Sequence, residues 1–103
     1  MASEGITFIE SGNIFLKAMI NLKKLDLSFN KLTRIDNFES LKELRELNLS
    51  FNRVENIENL QKLPNLRSLI LDHNRIKRLE NLKHLRKLEV LSISGNLLED
   101  LML

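Results

Sequence analysis

The sequence predicts an α/β repeat fold, a solenoid with a curved parallel β-sheet on its concave side and short helical or 3₁₀ turns on its convex side. Two observations carry this. A short phrase with Leu or Ile at its first and third places and Asn at its sixth returns every 22 residues: LDLSFN at 25–30, LNLSFN at 47–52, LILDHN at 69–74 and LSISGN at 91–96. The chain is also 43% apolar but only 5% aromatic, without Trp or Tyr, so its core is made of Leu and Ile at fixed places. Alternation around the first two apolar letters puts both on one face and the variable letter on the other, the period of a strand. One such unit cannot bury its leucines alone; stacked neighbours give a continuous core and a sheet along one side.

With 103 residues the chain has the length of one domain. Residues 1–21 are read as a degenerate N-terminal capping repeat, in which Ile6 and Phe8 offer a worn strand and Leu16 and Met19 the closing half. Residues 22–103 hold three complete repeats and a truncated fourth, beginning at Leu22, Leu44, Leu66 and Leu88 as position 1. Positions 4 and 6 carry Leu25 and Leu27, Leu47 and Leu49, Leu69 and Leu71, Leu91 and Ile93. Positions 11 and 14 carry Leu32 and Ile35, Val54 and Ile57, Ile76 and Leu79, Leu98 and Leu101. Positions 17 and 20 carry Phe38 and Leu41, Leu60 and Leu63, Leu82 and Leu85, and apolar residues three apart suit 3₁₀ or short helical turns. The fourth unit ends at NLLEDLML without a convex half. That leaves open a fragment, a short isoform, or self-association through an open C-terminal end.

Position 9 is Asn in every unit. An amide offers both donors and an acceptor to the inward-facing backbone of a turn, so Asn30, Asn52, Asn74 and Asn96 are read as a structural ladder. A second column, Asn37, Asn59 and Asn81, comes directly after Asp36, Glu58 and Glu80 and is expected to cap the convex turns. Lys31, Arg53 and Arg75 form a basic column expected to make surface ion pairs.

The pattern L-x-x-L-x-L-x-x-N-x-L, read in LKELRELNLSFNRVENIENL, resembles the leucine-rich repeat family. The 22-residue spacing, closed by I-x-x-L-x-x-L, is similar to the short intracellular subclass typified by the type-1 phosphatase regulator and an axonemal dynein light chain. That resemblance covers residues 22–101. It implies a scaffold or adaptor that grips a partner protein on its concave face, in a cytoskeletal, ciliary or centrosomal setting.

Composition and spacing exclude other classes. Without Cys there is no disulfide framework, thiolate zinc site or Cys nucleophile, as befits a reducing compartment. No apolar run reaches the ~20 residues of a membrane span, and MASEGITF lacks a signal-peptide pattern, so a soluble cytoplasmic protein is expected. His73 and His84 stand at different repeat positions, Ser28, Ser50 and Ser94 have no His–acid arrangement beside them, and three glycines make no phosphate loop. Neither an enzyme nor a cofactor is expected. Function therefore falls to the variable strand face: Glu46, Asn48, Ile70, Asp72 and Val90, with Ile70 and Val90 as an apolar spot and the others as its rim. Phe29, Phe51 and His73 form a row that either contacts the partner or shields the Asn turns. The net charge is +2, yet residues 61–90 hold 8 Lys/Arg against 3 Asp/Glu. A ribonucleoprotein component using Lys83, Arg86 and Lys87 is accordingly the alternative, weakened by the absence of stacking aromatics in that stretch.

Overall fold

Each repeat turns a three-residue strand into the sheet, because the apolar-x-apolar alternation offers one buried residue between two solvent-facing ones. The computed structural model of the chain describes residues 2–99, apart from the side chain of Ile14. Its strands are β1 (Lys24–Asp26), β2 (Glu46–Asn48), β3 (Ser68–Ile70) and β4 (Val90–Ser92), in the parallel order β1-β2-β3-β4 of an open sheet. Register obeys the 22-residue period: Leu25 lies opposite Leu47, Leu47 opposite Leu69, and Leu69 opposite Leu91. The leucines stack behind the sheet into one core with Leu32, Ile35, Phe38 and Leu41 and their equivalents.

The convex side is built of chained i→i+3 turns. Leu41 N–H donates to Phe38 C=O and Leu44 N–H to Leu41 C=O, and the same pair of bonds recurs from Leu60 to Leu66 and from Leu82 to Leu88. These are single i→i+3 turns, tight in the manner of 3₁₀ geometry, with a leucine at each vertex except the first, which is Phe38. The helix among the described residues is α1 (Ile14–Lys17), where Asn13 Oδ1 accepts the Leu16 N–H at 3.1 Å.

The N-terminal residues differ from the expectation of a worn strand. Ser3 N–H donates to Ser28 C=O as Phe29 N–H does to Ser50 C=O, and Lys31 N–H donates to Ile6 C=O as Arg53 N–H does to Leu32 C=O. Ser3 thus holds position 8 and Ile6 position 11 of a unit that enters after its strand. Three residues on, Ile9 takes position 14 and is buried, while Phe8 is 62% exposed. From Ile9 to Leu16, which fills position 17, this unit takes 7 steps where Ile35 to Phe38 takes 3, and the inserted residues hold the start of α1. Leu98 is partly exposed at the far end, and Leu101 lies outside the described residues.

The two asparagine columns hold the coils together. At position 9, Asn52 Nδ2 donates to Leu49 C=O of its own turn (2.9 Å) and Leu27 C=O of the previous one (3.0 Å), while its Oδ1 accepts Leu32 N–H (2.9 Å). Asn74 and Asn96 repeat this, and Asn30 Oδ1 accepts Glu4 N–H and Ile6 N–H. The second column does not cap its own turns. Asn37, Asn59 and Asn81 reach back to Ile9, Ile35 and Ile57 C=O, at 2.7, 2.8 and 2.7 Å. They do so from a left-handed backbone, φ 63°, 60° and 59°, which Asn tolerates better than most residues. Surface ion pairs likewise form away from the Lys31–Arg53–Arg75 column: Lys24 with Glu46 and Arg34 with Glu58, each at 3.1 Å.

Candidate protein-binding face

Positions 3 and 5 of every strand face the concave surface, because period 2 turns the intervening leucine inward. Glu46, Asn48 and Ile70 meet there around a shallow depression of about 300 Å³ that also takes in Lys24, Asp26 and Ser68. Asp72 and Val90 are not part of that depression. Nor are Ile70 and Val90 directly opposed: Ile70 pairs with Asn48 and Ser92, and Val90 with Ser68. A diagonal of ~7–8 Å separates such residues, so Ile70 sits among polar neighbours rather than at the centre of an apolar pair. Val90 is 48% exposed on the last strand.

Two residues of the expected rim are tied into the fold. Asn48 Oδ1 accepts both the N–H and the hydroxyl of Ser50 (3.0 and 2.7 Å), as Asp26 Oδ1 does from Ser28 (2.8 and 2.6 Å). These are Asx turns, signalled by D-x-S and N-x-S. In the third repeat the acid stands at position 7 instead and clasps the next coil: Asp72 Oδ1 accepts Ser92 O–H (2.6 Å) and Ser94 N–H (2.9 Å).

The Ser28 hydroxyl first, and then the Ser28 N–H, hold the Asp26 carboxyl below its ordinary pKa. For Asp72 the Ser92 hydroxyl is the main cause, with Ser94 adding to it. An unperturbed Asp titrates near ~3.9. Because both folded values are depressed, the clasps contribute fully above that pH and are lost as pH falls through the lowered folded values. In an NMR titration both carboxyls are expected to protonate below pH ~3.9, and Ser92→Ala is expected to raise the Asp72 midpoint without moving that of Asp26.

Phe29, Phe51 and His73 form one stack along the rim of the face. Ring centroids are 4.4 Å apart in both pairs, with interplanar angles of 8° and 21°. All three residues have a left-handed backbone, φ 57°, 56° and 54°, and Gly95 continues the row at 67°. The flat faces cover one another, so the stack turns its edges to solvent. The repeat turn itself needs no ring, since Ser3 and Gly95 adopt the same backbone. Among the basic residues of the third repeat, Lys83 and Arg86 are exposed on the turn side, and Lys87 donates to Asn65 Oδ1 at 2.9 Å. His84 lies near Glu58 and Asn81 on the convex side, away from His73. Among the described residues no group of His, Asp or Glu is arranged to hold a metal ion, and no helix is long and apolar enough to cross a membrane.

Residues 20–62 and 64–103 each match the family model described as Leucine Rich repeats (2 copies). The chain belongs to the leucine-rich repeat family. It is similar to a leucine-rich repeat protein of Leptospira interrogans, with 32% identity and a TM-score of 0.77 over 85% of this chain and 23% of that one. The functional domain of InlJ from Listeria monocytogenes, which includes a cysteine ladder, matches at 27% identity and TM-score 0.70 over 88% of this chain and 18% of that one. TLR13, in its complex with ssRNA13, matches at 29% and 0.64 over 93% and 18%. This chain therefore spans less than a quarter of those proteins, 23% at most. A comparison with curated proteins gives no match. Leucine-rich repeat proteins generally mediate protein–protein interaction and are typically non-enzymatic scaffolds, and TLR13 is one seen with RNA.

Proposed function

We propose that this chain is a non-enzymatic adaptor that binds a partner protein on its concave strand face, in the cytoplasm and in a cytoskeletal or ciliary assembly. The observation that carries the reading is the grouping of Glu46, Asn48 and Ile70 around one depression, where an apolar side chain stands amid polar ones. Small apolar anchors ringed by hydrogen-bonding groups are what protein partners use, and a buried anchor costs about 2 kcal/mol or more when lost. The setting rests on the repeat length, the lack of Cys and the subclass resemblance.

Ile70→Glu places a charge at that anchor on a half-buried strand position and is expected to weaken the partner about 30-fold. The experiment is capture from cell extract with the intact chain and the variant, each with and without nuclease, after circular dichroism shows both folded. Partner proteins lost with Ile70→Glu and indifferent to nuclease support the proposal. Partners retained by Ile70→Glu but lost to nuclease, or to Lys83→Glu with Arg86→Glu, overturn it for the ribonucleoprotein reading.

A further inference from the structure

The rim where each strand enters its turn carries side chains that the turn does not require. Phe29 and Phe51 are 55% and 44% exposed and His73 is exposed beside them, all three in the left-handed backbone that Ser3 and Gly95 also adopt. Holding a bulky side chain in that backbone costs stability, and such strain persists where the side chain serves something beyond the turn. The rings cover one another's faces at 4.4 Å, so what they present to solvent is their edges. The edge is the electropositive part of an aromatic ring.

Two residues further along each coil, position 10 adds full positive charges. Lys31, Arg53 and Arg75 are exposed, and their N–H groups donate to Ile6, Leu32 and Val54 C=O of the coil before, which sets them at equivalent places in consecutive coils. Hydrogen-bonded neighbours of this kind lie about 4.8 Å apart at the backbone. Three like charges so close repel one another, and among the described residues none of the three has an ion-pair partner, the surface pairs being Lys24 with Glu46 and Arg34 with Glu58. The next outward column, at position 12, holds Thr33, Glu55 and Lys77 and is neutral on balance. The Asp72 carboxyl, beside His73 in sequence, is engaged by Ser92 and Ser94.

An anion laid along this rim relieves the repulsion of the column and meets the ring edges at the same time. We infer that the rim formed by Lys31, Arg53 and Arg75 with the Phe29–Phe51–His73 stack is a binding site for an acidic segment of a partner protein. Its carboxylates lie over the cations, where Arg53 and Arg75 each offer a two-pronged hydrogen-bonding fork. Nucleic acid is the other polyanion, and it holds to aromatic residues by laying bases on open ring faces. Here Phe51 has Phe29 on one face and His73 on the other, and the His73 ring lies over Gly95. A base finds no opening inside that row, whereas a carboxylate needs only the edges and the cations. The rim stands apart from Ile70 and does not depend on the concave-face reading.

The probe is a capped octaglutamate peptide, titrated into the full chain by NMR in about 0.15 M salt, where charges beyond ~8 Å are screened and only local ones count. The Arg53 and Arg75 side-chain N–H signals are expected to shift as the peptide binds. Arg53→Glu with Arg75→Glu is expected to weaken it about tenfold. Lys83→Glu with Arg86→Glu makes the same change in net charge on the turn side and is expected to alter affinity less than about twofold. An oligouridylate of equal charge is expected to bind the intact chain more weakly than the peptide, a comparison that needs no variant to fold. Equal losses in the two double variants would reduce the effect to net charge and overturn the inference. Unmoved Arg53 and Arg75 signals at millimolar peptide, or tighter binding of the oligouridylate, would overturn it as well.

Discussion

Asn52→Ala is expected to lower stability by about 3 kcal/mol, a large share of what holds a domain of this size. The loss comes from the groups the side chain leaves behind. Leu27 C=O, Leu49 C=O and Leu32 N–H all bond to this one amide, and Asn52 is only 7% exposed; the two carbonyls keep a second donor in Asn30 Nδ2 and Asn74 Nδ2, whereas Leu32 N–H loses its partner. Water cannot reach groups placed there, and each buried polar group stranded without a partner costs roughly 1–3 kcal/mol. Asn96 makes equivalent bonds to Leu71 C=O, Ile93 C=O and Ile76 N–H, but at the half-exposed end of the stack. There, water replaces the lost partner, so Asn96→Ala is expected to cost about 1 kcal/mol. Urea unfolding of the two variants decides the matter. Equal losses at both positions would mean that burial of the ladder is not what makes it matter.

The same contrast shows how far the fold could be read from the letters. A fixed Leu at positions 4 and 6 and a fixed Asn at position 9 have one physical solution, a stacked coil, because each letter has a single environment to satisfy. Backbone dihedrals leave a fainter mark. Phe29, Phe51 and His73 sit at φ values of 54–57°, and residues so bulky do not announce a left-handed turn. Gly95 at the foot of that column was the available sign. The second asparagine column was visible as a column, but whether Asn59 bonds to its own turn or to Ile35 depends on the left-handed backbone that aims it. The site was legible in its faces and not in its neighbours. Period 2 assigns Ile70 and Val90 to the concave side, whereas register pairs Ile70 with Ser92 and sets the two apart. The Asp72 clasp on Ser92 and Ser94 also crosses repeats, at a spacing that no local motif records.

Gly95→Ala is expected to cost about 2 kcal/mol, and half of that should vanish when His73 is also truncated. Two separate effects act at this position. The backbone stands at φ +67°, where Ala is worse than Gly by about 1 kcal/mol. In addition, a Cβ there would lie 2.4 Å from His73 Nδ1 and 2.7 Å from Cε1, closer than atoms can approach. The ring must then move, and it cannot do so without leaving Phe51, on which it is stacked at 4.4 Å. Losing that contact and repacking costs about 1 kcal/mol more. Phe51 and His73 show that a side chain can occupy this place in the coil when the ring before it stands nearly flat, 8° between Phe29 and Phe51 against 21° between Phe51 and His73. Glycine at position 95 is thus what lets the histidine ring lean over the last turn. In a double-mutant cycle, Gly95→Ala should cost about 2 kcal/mol beside His73 and about 1 kcal/mol beside His73→Ala, a coupling of about 1 kcal/mol. An equal cost in both backgrounds would assign the whole effect to the backbone and leave the ring contact without a share in it.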